Sequence, residues 1–170
     1  MELPTNIVKV DYDGLEALVR PNPKNRNIFG YDHKRGRLAY LCAHYAPAET
    51  HFVALSGTLI IGIGSVAPVV WLENTVELSH ISIDADFNHH GHARRILSYL
   101  FEDLATSGQA LKIGRFSAQG KEHLPRLLPE LHRRQPHLPI YWTDGLVPTY
   151  GHRPYRLGST RHQDRTVIQL

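Results

Sequence analysis

Between Asp84 and Arg95 the chain reads Asp84, Ala85, Asp86, Phe87, Asn88, His89, His90, Gly91, His92, Ala93, Arg94, Arg95, and this run carries competing chemistries. A glycine-bearing turn that opens a helix offers backbone N–H groups and the positive end of the helix dipole to an anion, phosphate above all. Gly91 has no side chain, so a ligand can approach the backbone there. His89, His90 and His92 form a compact His-His-x-His cluster of the kind that holds a transition metal through imidazole. No carboxylate or cysteine completes an obvious set, however, and in a strand-to-helix turn those side chains fan outward while the backbone faces the ligand. No metal is therefore expected. Arg94 and Arg95 would add charge-assisted contacts to phosphates, whereas Asp84 and Asp86 oppose an anion unless they turn to solvent or to a substrate amine. The Gly-x-Ser-x-Gly elbow of a Ser-His-Asp hydrolase is absent.

The elements on either side decide whether that turn is built. In Val76 to Asp84 the apolar residues Val76, Leu78, Ile81 and Ile83 alternate as a strand does, but the phase shifts by one after Leu78. A regular strand cannot send all four to one face. One extra residue near Ser79 and His80, a β-bulge, restores a single apolar face and leaves backbone groups there unpaired with the next strand. After the turn, Ala93, Ile96, Leu97, Leu100, Phe101 and Leu104 form one helical stripe, and Gly108 stands at the position of a C-terminal cap.

Upstream, Asn6 to Tyr12 alternates as a first strand, Asp13 and Gly14 turn the chain, and Leu15 to Arg20 is a short helical stretch ended by Pro21 and Pro23. Asn22 to Arg37 is polar and rich in turn formers, the composition of an exposed connection. Arg37 to Tyr45 is expected as a helix. His51 to Leu55 and Thr58 to Ile63 are strands joined by Ser56 and Gly57 with hairpin chemistry. Downstream come a strand over Leu111 to Phe116, then a helix over Glu122 to Arg134 that Pro129 should kink or shorten. Closing strands are expected at Pro139 to Thr143 and Arg165 to Leu170, with Tyr150 to His162 irregular between them.

Among 170 residues the formal charge is +3. Residues 1 to 90 hold seven Lys and Arg against ten Asp and Glu, and residues 91 to 170 hold twelve against six. Fourteen of the nineteen basic residues are arginine, whose planar fork suits phosphate or carboxylate. A size of 19.3 kDa suits one domain over residues 1 to 170. The first fourteen residues contain Glu2, Asp11 and Asp13 and no apolar block, so no secretory signal is expected and a cytoplasmic location is. Gly57 to Leu72, the most apolar stretch, is broken by Gly62, Gly64 and Pro68 and is too short to span a bilayer. Cys42 is the single cysteine, which excludes an intramolecular disulfide.

The order hairpin, strand, turn, helix, strand, helix, strand, strand, with Asn88-x-x-Gly91-x-Ala93 in the turn, resembles the GNAT superfamily of acetyl-CoA-dependent N-acetyltransferases. The family's pattern is Gln or Arg, two residues, Gly, one residue, Gly or Ala; here Asn88 stands in the first position. Ile81-Ser82-Ile83-Asp84-Ala85-Asp86-Phe87 is similar to the family's apolar strand followed by an aromatic, without the proline common near Ala85. The resemblance covers residues 50 to 135 well and the two ends poorly. It implies an α/β (α+β) fold: a mixed, mostly antiparallel twisted sheet flanked by helices, with a splayed central strand pair.

The resemblance also implies roles. Asn88, His89, His90, Gly91, His92, Ala93 and Arg94 would wrap the pyrophosphate of acetyl-CoA, a co-substrate, and Ile81, Ser82 and Ile83 would pair with its pantetheine arm. The bulge coincides with the family's splayed strand, where a backbone N–H near Ser79 to Ile81 holds the thioester carbonyl. Acetyl transfer needs a base for the amine's proton and an acid for the departing thiolate. Glu77, eleven positions before Asn88, is the first candidate for base, in a place similar to the glutamate of histone-type relatives. His80, with an ordinary pKa near 6.5, is the second. For the acid, Tyr150 is preferred over Tyr155 and Tyr141, although the family's Gly-Phe after the tyrosine is missing from Tyr150-Gly151-His152. The acceptor is a primary amine on a small molecule or peptide, and the protein a monomer or homodimer. The alternative is a basic module for RNA or DNA using Arg126, Arg133, Arg134, Arg153, Arg156, Arg161 and Arg165, or a GNAT scaffold without catalysis; nucleic-acid affinity would then fall steeply with salt.

Overall fold

The computed structural model describes residues 5–32, 34, 37–38, 49–70, 72–113, 118–142 and 155–156. Strand β1 (Asn6–Val10) leads into helix α1 (Tyr12–Val19), then α2 (Pro23–Ile28), the short strands β2 (Tyr31–Asp32) and β3 (Arg37–Leu38), and the hairpin β4 (Thr50–Ser56) and β5 (Leu59–Pro68). Next come β6 (Thr75–Ile83), α3 (His92–Ser107), β7 (Ala110–Ile113), α4 (Ala118–Arg134), β8 (Ile140–Trp142) and β9 (Tyr155–Arg156). The main sheet has the order β1-β4-β5-β6-β7-β8-β9, and β2 pairs with β3 in a sheet of their own. β1 to β5 pair antiparallel, β6 to β8 parallel, and β9 returns antiparallel on β8. This is the mixed α/β sheet flanked by helices that the sequence implies. The chain divides into two compact units, residues 1–67 with 80–96, and residues 68–79 with 97–170.

In the first unit, α1 begins earlier than Leu15 because the Asp11 side chain accepts a hydrogen bond from Gly14 N at 2.8 Å and caps the helix. Leu15 and Val19 then bury fully with Phe29, Val53, Ile60 and Ile63, each such side chain contributing about 1.5–3 kcal/mol. The expected connection after Pro21 is instead partly helical. Asn22 caps α2 by accepting from Lys24 N and Asn25 N, and Pro23 occupies the first turn, where its missing N–H costs nothing. Asn25 is fully buried: its amide donates to Leu18 O at 3.3 Å and Thr58 O at 2.8 Å and accepts from Ile60 N at 3.0 Å. Arg37 and Leu38 are strand rather than helix, and the rest of that expected helix lies outside the described residues. The β4–β5 turn is Gly57–Thr58, with Gly57 at φ +59°.

Two cross-strand bonds measure β6. Val69 N donates to Thr75 O at 2.9 Å and Asp84 N to Ile61 O at 2.9 Å, so β6 spends nine steps where β5 spends eight. The one extra residue on β6 is the irregularity that the phase shift predicts. On its other edge β6 pairs with β7 at Thr75↔Ala110, Val76↔Leu111 and Glu77↔Lys112, while the strand itself runs on to Ile83.

In the second unit Leu97, Leu100, Phe101 and Leu104 of α3 are buried, and Gly108 ends the helix at φ +70°. α4 is assigned as one helix through Pro129 and starts before Glu122, so the proline does not shorten it. Its buried stripe Leu124, Leu128 and Leu131 holds on both sides of the proline. Tyr155 and Arg156 form β9 where an irregular stretch was expected, because they pair with Trp142 and Tyr141. Arg165 to Leu170 lie outside the described residues.

Candidate functional site

The strand-to-helix turn of the first unit is built by its own side chains. Asp84 accepts from Asp86 N at 3.0 Å and caps a single 3-10 turn, Ala85–Phe87. His89 and Gly91 then take positive φ, 66° and 76°, which a glycine adopts without strain and a histidine does not. The first bond of α3 runs from Arg95 N to Gly91 O at 3.1 Å, so the positive end of the helix dipole falls at Gly91 to Ala93. A Cβ added at Gly91 would meet nothing within 4 Å, and Asn88 to Gly91 are exposed. The backbone there is open to a ligand.

The charges beside the turn are arranged more favourably than the sequence suggests. Of the two carboxylates that would repel an anion, Asp84 is spent on its own cap, and Asp86 is paired with Lys24 Nζ of α2 at 3.3 Å. The same ammonium lies 5.9 Å from the centroid of the Phe87 ring, a cation–π distance. Arg94 is exposed and Arg95 half-buried on the first turn of α3. The histidines divide: His89 and His90 face solvent, but His92 turns inward, 8% exposed, with its ring edge-on to Phe87 at 6.3 Å. That is a correction to the expected outward fan; His92 is part of the turn's packing. Among the described residues, no three His, Cys, Asp or Glu come together as a metal would require.

Behind the turn, Ile83 and Ile96 pack over Gly62 and Gly64 of β5. A Cβ at Gly62 would lie 2.5 Å from Ile83 Cδ1 and 3.0 Å from Ile96 Cδ1; one at Gly64 would lie 2.7 Å from Ile96 Cγ2. These two glycines let α3 seat close to the sheet and so set where its N-terminus stands. Ile81 and Ile83 are half-buried and Ser82 is exposed, so this part of β6 is accessible.

His80 is half-buried, and burial lowers its pKa from 6.5, favouring the neutral ring. His51 on β4 is 1% exposed and hydrogen-bonded through Nδ1 to Ser65 Oγ at 2.7 Å. Its pKa is lowered to about 4, first by burial and then by His80, with Asp11 acting the other way. Sequence reasoning missed His51 and Ser65; the signal available was a polar pair in otherwise apolar strands, two residues that the β4–β5 register sets opposite each other.

In the second unit Glu77 has a partner that the sequence does not reveal. Lys112 Nζ, on β7 directly across from it, lies 2.7 Å from Glu77 Oε1. Lys112 is 4% exposed while the Glu77 side chain keeps 37%, so one carboxylate oxygen is committed to a buried ammonium and the group remains partly open to solvent. Tyr150, the expected acid, lies outside the described residues. Tyr141 is half-buried on β8, and Tyr155 belongs to β9. Of the arginines of the basic half, Arg126, Arg133 and Arg134 are exposed on α4, Arg134 paired with Glu130 at 3.2 Å. Arg153, Arg161 and Arg165 lie outside the described residues. No described helix is long and apolar enough to cross a membrane.

No protein-family model matches the sequence, and no curated protein matches it. Solved structures do. The ribosomal-protein-S18-alanine N-acetyltransferase from Escherichia coli superposes with a TM-score of 0.51 at 17% identity, covering 89% of this chain and 88% of that one. An acetyltransferase of the GNAT family from Staphylococcus aureus Mu50 matches at 0.46 and 12% identity, over 90% of this chain and 96% of that one. A spermidine N-acetyltransferase mutant from Vibrio cholerae matches at 0.48 and 17%, over 75% and 77%. At 17% identity the likeness to the first of these shows the fold alone.

Proposed function

We propose that this chain, whose fold is that of the GNAT acetyltransferases, is an N-acetyltransferase that moves an acetyl group from acetyl-CoA to a primary amine, with residues 1–170 as a single acyl-CoA-binding domain. The observation that carries the reading is the turn at Asn88 to Ala93: open backbone at a helix N-terminus, with Asp86 paired to Lys24 and Asp84 engaged in its own cap, directly after the strand β6. Pyrophosphate would sit on the N–H groups of Asn88 to Arg94, and the pantetheine arm would add to the edge of Ile81, Ser82 and Ile83 as an extra strand does.

The amine nitrogen attacks the thioester carbon, the C–N bond forms, and the C–S bond breaks. An ammonium loses two protons on becoming an amide nitrogen, and the thiolate regains one. Glu77 is the general base; its free oxygen accepts a proton while Lys112 holds the other. His80, kept neutral by burial, is the second acceptor on the same strand. Tyr150 is the acid for the thiolate. The acceptor is a small molecule or peptide bearing the amine.

Thermal unfolding with acetyl-CoA tests the cofactor. At 100 times the dissociation constant the ligand stabilises by about 2.7 kcal/mol, or about 5–11 °C for a chain of this size. No shift with any acyl-CoA at millimolar concentration would refute the reading. Gly91→Glu places bulk and charge on the proposed pyrophosphate site and should abolish the shift. Release of free thiol with a panel of amines then tests transfer, and an unchanged rate in Glu77→Gln would refute the proposed base.

A further inference from the structure

Acetylating an ammonium leaves one proton over after the thiolate has taken its share, and that proton must leave a partly buried site. The first unit contains a polar file that begins at His80. The bond from Asp84 N to Ile61 O sets the register of this part of β6 on β5. It holds along the strands: Ser82 O is the atom nearest a Gly62 Cβ on the backbone, at 3.3 Å, and His80 O lies 4.0 Å from a Gly64 Cβ, two residues on along each chain. By that count His80 stands directly opposite Ser65. Ser65 stands opposite His51, and His51 opposite Val10, the residue before Asp11. Directly opposed residues project from the same face, so His80, Ser65 and His51 follow one another across three strands, and Asp11, the N-cap of α1 just past Val10, is the carboxylate that acts on His51 at the end of the file.

The middle of the file is dry and its end is wet. Ser65 is fully buried and His51 1% exposed, yet they hold a 2.7 Å hydrogen bond; Asp11 is exposed at the N-terminus of α1. We propose that Ser65 and His51 are relay residues that carry the surplus proton from His80 to solvent at Asp11, an inference that rests on the acetyltransferase reading. His80 takes the proton from the amine nitrogen on one ring nitrogen and releases that of the other to Ser65 Oγ. Ser65 passes its own hydroxyl proton to His51 Nδ1, and His51 sheds its Nε2 proton to water beside Asp11. Each group accepts one proton and gives one, so all return neutral. The electrostatics agree: burial keeps His51 neutral and able to accept, while Asp11 favours the transient imidazolium. Glu49, 5% exposed, is the ionisable residue two positions before His51 along the chain.

Two variants of the full chain test this. Ser65→Ala removes the hydroxyl without adding volume; His51→Gln keeps a hydrogen-bonding partner for Ser65 but cannot pass a proton on. Histidine ring NMR across a pH titration should show the His80 titration displaced in both, and folding monitored on the same samples separates this from collapse. In turnover, kcat should fall about tenfold or more in both variants with the KM for acetyl-CoA unchanged, and a proton inventory in mixed light and heavy water should change from bowed to linear. A wild-type His80 titration in Ser65→Ala, or a wild-type kcat and bowed inventory in His51→Gln, overturns the relay. If the wild-type chain binds no acyl-CoA, the enzyme reading falls with the relay's purpose, while the titration arm still decides whether the three side chains are coupled.

Discussion

Gly62→Ala and Gly64→Ala introduce the same methyl group two residues apart on β5, yet they should differ in cost for a reason that distance alone does not give. At Gly62 the new Cβ lies 2.5 Å from Ile83 Cδ1, and at Gly64 it lies 2.7 Å from Ile96 Cγ2. The nearer clash is with the free end of a half-buried side chain that can swing away. The farther one is with a branch fixed to Cβ of a residue with no exposure at all, whose χ1 is locked in the helix. Overpacking of a dense core costs about 1–3 kcal/mol; Gly62→Ala belongs near the bottom of that range and Gly64→Ala near the top. For a chain of this size this is a difference in midpoint of about 4–8 °C, with urea midpoints falling in the same order at constant m. Ile83→Val removes Cδ1 and should relieve Gly62→Ala by about 1 kcal/mol as a coupling energy. Ile96→Val retains Cγ2 and should not relieve Gly64→Ala. Equal losses in the two alanine variants, or no rescue by Ile83→Val, would refute the idea that these glycines seat α3.

A buried neutral histidine makes stability rise with pH. His51 titrates at about 4 in the fold and near 6.5 when unfolded, so its contribution is complete above 6.5 and is lost as pH falls toward 4; urea unfolding at pH 5 should show about 2 kcal/mol less stability than at pH 7.5, and His51→Gln should flatten that slope. Glu77→Gln removes the counter-charge of a buried ammonium and should lower stability by about 1–2 kcal/mol, whereas Glu77→Gln combined with Lys112→Met should recover most of it, as denaturant midpoints would report. Lys24→Glu puts a carboxylate beside Asp86 at the phosphate turn and should weaken acetyl-CoA about tenfold, ~1.4 kcal/mol by calorimetry, with the loss shrinking as salt is added.

The middle of the fold was legible because its signals are local. The stripe from Ile96 to Leu104, the hairpin around Gly57 and the phase shift after Leu78 each need only a short window, and each has its counterpart in α3, in β4 with β5, and in the extra residue of β6. What was not legible depends on partners far along the chain. Asn25 reads as a loop residue, because nothing near it announces Thr58 and Ile60. Nothing in the residues around Lys112 announces a partner; only the β6–β7 register brings it to Glu77, where it is buried. Asp84 and Asp86 read as an electrostatic objection to a phosphate, which a lysine sixty-two positions away from Asp86 offsets in part. Pro129 misled in the other direction: its local penalty is real, but the buried leucines on both sides of it keep α4 helical.

Asn25 also says something about the order of assembly. Two of the three groups that satisfy its buried amide belong to the β4–β5 hairpin, at Thr58 and Ile60, so α2, six residues long, gains its anchor only once that hairpin has closed. A helix this short has little stability by itself. It docks late and, by the same token, is among the first elements to come away when the chain opens locally. Lys24 travels with it. The turn at Asp84 to Phe87 therefore keeps its balancing charge only while α2 stays docked.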